Sequence, residues 1–493
     1  MGEESDPTGL PSRLQRRKYL RALAAGAALP ALAGCGGDGG DGGSDGGTGG
    51  NGGDGGSGGD GGSGGSGDGG SGDGSSGDTP AAPEFELSFL TWNIGYHENA
   101  INGWMDDFTA IDRYSGVEMN WVDRPGSDFP SYLQTRIQGG NPPHAVDTQA
   151  GIFSRYASAG VFAPLDPIIE EEVEGGMDAI QEKFGEQILN FSSVDGTLYR
   201  LPFYHSTTWT GYRKSFFEEA GVEPPTVENP YTTFDYFDVA EEVVANSSAE
   251  MGLMMLTFGF HFWPLFQTEG VDLLNDDNTA AALNTETTVE ILSRIQELTQ
   301  DGIIAETSFT GRWTAPNQTF AAGNTAMNFA HFNNLRTIKA NGDWINVDTL
   351  GVGPGPRNSG VYAAHGWGIT SEEYHPTEQV RTAFHFINDV VLSEKWQKEN
   401  ATAGPTRPVA NLNAHRDLAD SEEFRSNNPI LAKQYDLWSQ NRSNAWAPPT
   451  IPASAEIEVI IDKDMVSACA LGEKSPEQAA ADAEQAINQA IEN

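Results

Sequence analysis

Phe85-Glu86-Leu87-Ser88-Phe89-Leu90-Thr91-Trp92 alternates apolar and polar positions, which is the period of a β-strand, and Val117-Glu118-Met119-Asn120-Trp121-Val122 alternates again. Between them, Asn99 to Tyr114 follows helical spacing. Tyr132 to Ile137 is helical too and stops at Gly139-Gly140; Ala145-Val146-Asp147-Thr148 is a short strand and Phe153 to Ala159 a helix. Asp195-Gly196 marks a turn into the extended run Thr197 to Pro202. Val289, Leu292, Ile295 and Leu298 share one face of a helix over Thr287 to Gln300, and Thr377 to Leu392 and Ser475 to Ile491 are further helices, the last opened by Ser475 as N-cap. Strands alternating with helices predict an α/β fold with a mainly parallel sheet. Ligands of such sheets sit outside the carboxyl ends of the strands, so the loops after Trp92 and Asp147 are the places to expect one.

Composition limits how much of the 493-residue chain enters that fold. Residues 36–83 are almost wholly Gly, Ser and Asp, without an aromatic or basic side chain, and cannot bury enough apolar surface to offset their ordering entropy. The rest, from Glu84 on, is long enough to divide into two lobes. The formal net charge is -42, and the eight aspartates of the glycine-rich stretch carry only a small part of it. A body so negative is a poor partner for nucleic acid, and its scarcity of Lys is the style of proteins from saline surroundings. Of two cysteines, Cys469 lies in an Ala-rich helical pattern and reads as a small buried hydrophobe.

The other cysteine changes the picture. Arg16-Arg17-Lys18-Tyr19-Leu20-Arg21 precedes the apolar run Ala22 to Ala33, a signal-peptide pattern too short to span a bilayer. The paired arginines resemble a twin-arginine signal, and Leu32-Ala33-Gly34-Cys35 resembles a lipobox, in which the thiol takes the lipid. Residues 1–35 are thus expected to export the chain and Cys35 to anchor it at the extracellular face of the membrane, with 36–83 as a tether.

Motifs of catalysis are missing from the sequence. It holds no His-Glu-x-x-His, no Gly-x-Ser-x-Gly elbow, no phosphate-cradling Gly-x-x-x-x-Gly-Lys and no dinucleotide fingerprint after a strand. Trp92, Tyr96, Trp209, Trp263, Trp313, Phe332 and Trp367 fall mostly at strand ends or in loops, where rings stack on the C–H faces of sugars; core filling is the ordinary alternative for each. His97, His205, His261, His331 and His365 stand beside aromatic or glycine residues without metal-ligand spacing, so neither metal nor cofactor is expected.

Seven segments in order carry a resemblance: Gly139-Gly140-Asn141-Pro142-Pro143, Gly160 to Asp166, Asp195 to Pro202, Phe216 to Val222, Phe320 to Met327, Gly366-Trp367-Gly368-Ile369 and Gly472 to Ala479. Together they resemble the extracellular solute-binding proteins of family 1, the group that includes the maltose and multiple-sugar binders, over nearly all of Phe85 to Ile491. The resemblance implies a two-lobed, periplasmic-binding-protein-like fold (type II) with interlobe hinge strands, one near Leu201 to His205. It puts 84–203 and 361–403 in lobe one, and 204–360 and 404–493 in lobe two. It also implies ligand contacts from Tyr96, His97 and Glu98, from Thr148, Gln149 and Gly151, from Phe260 and His261 beside Trp263, from His331-Phe332, and from His365, Gly366 and Trp367. His144 stands where the family usually has an aspartate. His205, Trp209 and Trp313 complete the candidate set.

The function so implied is capture of a sugar or oligosaccharide by a non-enzymatic, monomeric lipoprotein that delivers it to the permease subunits of an ABC importer. A secreted glycoside hydrolase or lyase, and a structural surface protein, are the alternatives.

Overall fold

The first alternating run forms strand β1 (Phe85–Trp92), and the second forms β2 (Val117–Arg124), which lies parallel to β1 with Phe85 opposite Val117. Leu87, Phe89 and Leu90 of β1 are fully enclosed. The helix Glu98–Thr109 between the two strands buries Ile101, Trp104 and Phe108, spaced to share one face. Trp104 meets Phe203 and Trp367 edge-on at 5.8 and 6.4 Å, which seats the helix on the sheet. This computed structural model describes residues 84–92, 98–124, 128–331, 333–402, 409–441 and 444–492. The export segment, Cys35 and the glycine-rich stretch lie outside the described residues, as do Tyr96, His97 and Phe332.

The next strand, β3 (Ala145–Gln149), runs parallel to β1. A hairpin of β4 (Ser193–Val194) and β5 (Thr197–Leu198) turns at Asp195-Gly196, where φ is 50° and 79° as a tight two-residue hairpin turn requires. Then follow β6 (Arg200–Ser206), β7 (Thr208–Arg213), β8 (Met251–Met255), β9 (Thr325–His331), β10 (Leu350–Gly353) and β11 (Ala363–Ile369). They assemble into a five-stranded sheet, β2-β1-β3-β11-β6, and a four-stranded sheet, β10-β7-β9-β8. Each sheet contains one reversed strand: β11 is antiparallel to both neighbours in the first, and β7 to both neighbours in the second. The remaining strands of each sheet therefore share a direction, the mainly parallel arrangement that the alternation of strands and helices predicts.

Helix boundaries follow local chemistry. Thr232 and Asp235 form a reciprocal capping box at the start of Thr233–Asn246, and Thr285 caps Glu286–Gln300. Ser475 accepts from the Gln478 amide at 3.2 Å to open Pro476–Glu492, as its sequence suggests. Thr377–His385 passes into a π-helical turn over Phe386–Val391, which the periodic pattern reads as continuous helix. Gly252 of β8 is held to glycine by packing, because a Cβ there would lie 2.3 Å from the Ala240 carbonyl oxygen.

The chain passes from the first sheet to the second through Thr207 alone, and returns over residues 354–362. On the return Val361 donates its amide to Thr208 Oγ1 at 3.1 Å, and a Cβ on Gly360 would lie 2.2 Å from Thr207 Oγ1. The crossing segments are thus in contact, not loosely joined. Beyond residue 409 the helix Leu412–Asp420 packs on Gly176–Phe184 beside the first sheet, whereas Pro429–Asn441 packs on β10 of the second.

Candidate functional site

Strand direction locates the site. In the first sheet β1, β3 and β6 all end on the edge where β11 begins. In the second, β8 and β9 end where β7 begins, Thr208 pairing with His331. Since β6 continues into β7 through Thr207, these two carboxyl edges adjoin at the crossing, the location at which open α/β sheets take ligands.

On the first edge, His365 is the focus. It stacks on Tyr204 (centroids 4.6 Å, 23°) and meets Trp92 edge-on at 6.2 Å. Its Nδ1 lies 3.1 Å from Oδ1 of Asp147, a carboxylate with no exposed surface. A donor–acceptor bond there places the imidazole hydrogen on Nδ1. Beneath the pair, buried Arg200 donates to the carbonyls of Thr148 (3.3 Å) and Phe191 (2.9 Å) and lies 4.0 Å above the Phe153 ring. Burial lowers the Arg200 guanidinium to about 10, and the Asp147 charge counters that fall. Thr148 is enclosed and donates Oγ1 to the Gly366 carbonyl at 3.2 Å, while Gln149 is half-buried at the end of β3. Gly151 lies in the helix Ala150–Ser158, and Glu98 is the exposed first residue of its helix.

The second edge gathers His261, His331 and Trp313. The two imidazoles meet edge-to-face at 4.6 Å, and Trp313 lies 6.2 Å from His261 and 6.0 Å from His331. His331 Nδ1 accepts the Asn333 amide at 3.2 Å, whereas His261 Nδ1 contacts the Phe258 carbonyl oxygen and so carries its hydrogen. Burial drives His261 down to about 4, only partly offset by that carbonyl, so the ring is neutral at physiological pH. Trp209 is wholly enclosed and ties this edge to the crossing, its indole N–H reaching the His331 carbonyl (3.3 Å) and Asn334 Oδ1 (3.1 Å).

The turn that aims His261 is strained: Phe260 is a non-glycine residue at φ 63°, next to Gly259 at φ 67°. Half-buried Glu458 and buried Asp462 stand behind it, close enough to the Gly259 and Phe260 amides for these to favour their charged forms. Burial raises both carboxyls, and proximity to Glu458 raises Asp462 further.

Other expected residues lie elsewhere. Phe260 and Trp263 pack in the core of the second sheet, Trp263 stacking on Phe266 at 5.2 Å and both rings lying near Trp446. Trp367 is enclosed between Phe89, Trp104 and Phe203. Gly366 has its α-carbon against the Leu201 carbonyl and the Arg200 chain. His205 has no exposed surface and stacks on Trp438 at 4.7 Å, whereas its neighbour Tyr204 stacks on His365; alternate strand residues point to opposite faces. His144 is an internal strut: Nδ1 takes the Ser88 amide at 3.0 Å, Nε2 lies 3.1 Å from Gln379 Oε1, and the ring stacks on His375. Asp147 and Tyr204 are the additions to the set; an aspartate inside the apolar run of β3 was the available signal for Asp147. A recess at the crossing, lined by Thr207, Thr208, Pro354, Gly360, Leu437 and Trp438, is hinge packing and contains none of these edge imidazoles. No group of three or more metal-ligand side chains occurs among the described residues.

Two α/β sheets joined by crossing segments, with their carboxyl edges adjoining, define a two-lobed binding protein of the maltose-binding-like architecture. Solved structures agree on the fold. The GacH receptor of Streptomyces glaucescens superposes with a TM-score of 0.67 at 18% identity, covering 83% of this chain and 99% of that one. An ABC substrate-binding protein of Listeria monocytogenes in complex with cycloalternan gives 0.66 at 19%, covering 83% and 100%. Residues 103–427 match the family model described as bacterial extracellular solute-binding protein, and the chain belongs to that family. An arabinooligosaccharide-binding protein of Bacillus subtilis is 25% identical over 44% of this chain and 48% of its own length. The sn-glycerol-3-phosphate-binding periplasmic protein UgpB of Rhizobium meliloti is 25% identical over 54% and 64%. The chain thus spans about half to two thirds of the length of these curated relatives.

Proposed function

We propose that this chain is the solute-capturing component of an ABC importer, that it binds a sugar or oligosaccharide between its two lobes without chemical turnover, and that it hands the cargo to membrane permease subunits. The observation that carries the reading is the composition of the two adjoining edges. Trp92, Tyr204 and Trp313 offer ring faces and edges, while His261, His331, His365 and Gln149 offer hydrogen-bonding groups, the mixture that a polyol with apolar C–H faces requires. In the sequence, Tyr96 and His97 directly precede Glu98, and Phe332 directly follows His331. The similarity to arabinooligosaccharide-, cycloalternan- and acarbose-binding proteins supports carbohydrate as the cargo class. The segments around the first sheet, up to Ser206 and over β11, serve as one lobe and those around the second sheet, from Thr208 through β10, as the other, with helices beyond residue 409 packing on both; closure about Thr207 traps the ligand.

The same reading makes the protein a monomeric lipoprotein at the extracellular face of the cell membrane, exported by a twin-arginine signal, anchored through Cys35 on a polar leash, and adapted to salt. No helix among the described residues is long and apolar enough to cross a membrane. Titration calorimetry of the purified protein in high salt against a panel of neutral oligosaccharides tests the cargo. Saturable binding without released product is expected, and release of shortened sugar would establish the hydrolase alternative instead. Anchoring is tested separately by mass spectrometry of the mature N-terminus, with Cys35→Ser expected to release the protein into the medium.

A further inference from the structure

Five Asn-x-Ser/Thr triplets occur along the chain, at Asn190, Asn246, Asn317, Asn400 and Asn441, and solute capture uses none of them. The triplet is the acceptor pattern for N-linked sugar outside the cell, where a transferase must reach the amide and seat the hydroxyl two residues on. A twin-arginine route passes chains that have already folded, so the native surface decides which triplets an external transferase meets. Asn317 has no exposed surface, stands within the helix Thr314–Ala321 and donates to the Trp313 carbonyl at 2.8 Å. Asn400, in the helix Glu394–Thr402, has both amide atoms enclosed. Asn190 is exposed, but the serine of its triplet, Ser192, has no exposed surface, and Phe191 between them stacks on Tyr362 at 4.3 Å. Asn441-Arg442-Ser443 runs beyond the described residues.

Asn246-Ser247-Ser248 is open where these are closed. Asn246 is the exposed last residue of the helix Thr233–Asn246, Ser247 leaves that helix with extended backbone (φ -137°, ψ -174°), and Ser248 is exposed. Nδ2 of Asn246 donates to the Glu242 carbonyl at 3.0 Å, and the Ser248 amide and hydroxyl donate to Glu219 Oε2 at 2.8 and 2.7 Å. Bonds this exposed compete with water and lock neither group. Strand β8 begins at Met251 and runs toward the candidate site, so the triplet lies at its amino end, opposite the carboxyl edge that adjoins the gap.

We propose that Asn246 carries an N-linked oligosaccharide on the exported protein, as the acceptor that the fold leaves open among the described triplets. Glycosylation there goes beyond solute capture and rests only on the export reading. In the transfer, Nδ2 of Asn246 bonds to the anomeric carbon of a polyprenyl-phosphate-linked oligosaccharide. The bond from that carbon to the phosphate oxygen breaks, the carrier leaves with the electron pair, and one amide hydrogen passes as a proton to a base of the transferase.

The test is mass spectrometry of the full chain recovered from the membrane of its own cells. Cleavage after glutamate isolates Val243–Glu250, which holds Asn246 and no other triplet. Monosaccharide-sized mass increments are expected on this peptide, with the peptides around Asn190, Asn317 and Asn400 bare. Asn246→Gln and Ser248→Ala are each expected to abolish the increments, and Ser248→Thr to keep them. A bare Val243–Glu250 peptide in the exported chain overturns the proposal, as does sugar retained in Ser248→Ala. Sugar on Asn317 or Asn400 overturns it too, since modification would then precede folding. The N-terminal peptide separates the two readings. A chain starting at a modified Cys35 upholds export whatever Val243–Glu250 shows, whereas a chain retaining residues 1–35 overturns export and the proposal together.

Discussion

The two edges of the gap use the same side chain under different control. On the first, His365 is backed by the buried carboxylate of Asp147, with the Arg200 guanidinium beneath it. On the second, Nδ1 of His261 contacts the Phe258 carbonyl and Nδ1 of His331 accepts the Asn333 amide. A carboxylate behind an imidazole holds its tautomer and stabilises a positive ring; a carbonyl or amide holds the tautomer without inviting charge. The contrast teaches that the chemistry of a histidine is set by what contacts its hidden nitrogen, and that the two edges make this choice differently.

The sharpest way to break the first edge is to remove its buried cation. Arg200→Met leaves the Thr148 and Phe191 carbonyls and the Asp147 charge uncompensated, and is expected to cost about 3–5 kcal/mol of folding stability in urea denaturation. A loss below about 1 kcal/mol would show that the buried guanidinium is not what organises this edge. Asp147→Ala frees His365 without touching the second edge; sugar affinity is expected to fall by about 1.5–3 kcal/mol in calorimetry, the worth of a hydrogen bond to a charged group. Unchanged affinity would assign the pair to packing.

The second lobe does hold charge, but behind the turn and in protonable form. Glu458 and Asp462 are both pushed above the usual carboxylate range by burial. In the window between their unfolded and folded values the native state binds more protons than the unfolded chain, so stability present at low pH is lost as pH rises through the folded values. Asp462→Asn removes one ionisable member while keeping its size. It is expected to raise the thermal midpoint at alkaline pH, with the gain vanishing below about pH 4, near the unfolded carboxylate range. Parallel pH profiles for wild type and variant would dismiss the pair as a pH-dependent support. The smallest effect belongs to the outer surface, where Arg294 bridges Asp238, Glu241 and Glu297. Arg294→Ala is expected to cost about 0.2–1 kcal/mol, and less in molar salt, where screening is strong.

Local elements were legible because each obeys a period. The strand at Phe85–Trp92 and the helix Glu286–Gln300 fall within a residue of the positions that alternation and helical spacing indicate. The π-helical turn at Phe386–Val391 was not, since its apolar spacing is close to that of an α-helix. Among the residues at the two edges, the family resemblance points to His261, His331 and His365. It did not distinguish Tyr204 from His205, because alternation gives two faces without saying which one meets the gap. Nor could it show that Trp263 and Trp367 are enclosed, as an indole fills a core or a cleft equally well. The pairing of His365 with Asp147 joins residues 218 positions apart and has no local signature.

Thr207 is the whole of the first link between β6 and β7. A single residue offers two soft torsions, and the strands on either side are stiff rods of about 20 Å by their length. Under the closure proposed above, such a joint would act as a lever. A turn of about 30° at Thr207 would sweep the far rim of one lobe by roughly 10 Å while leaving distances inside each lobe unchanged. A donor and acceptor dye placed on opposite rims would therefore report occupancy as a large change in energy transfer, and a dye pair within one lobe would stay silent. The chain has the mechanical layout of an optical gauge for its own cargo.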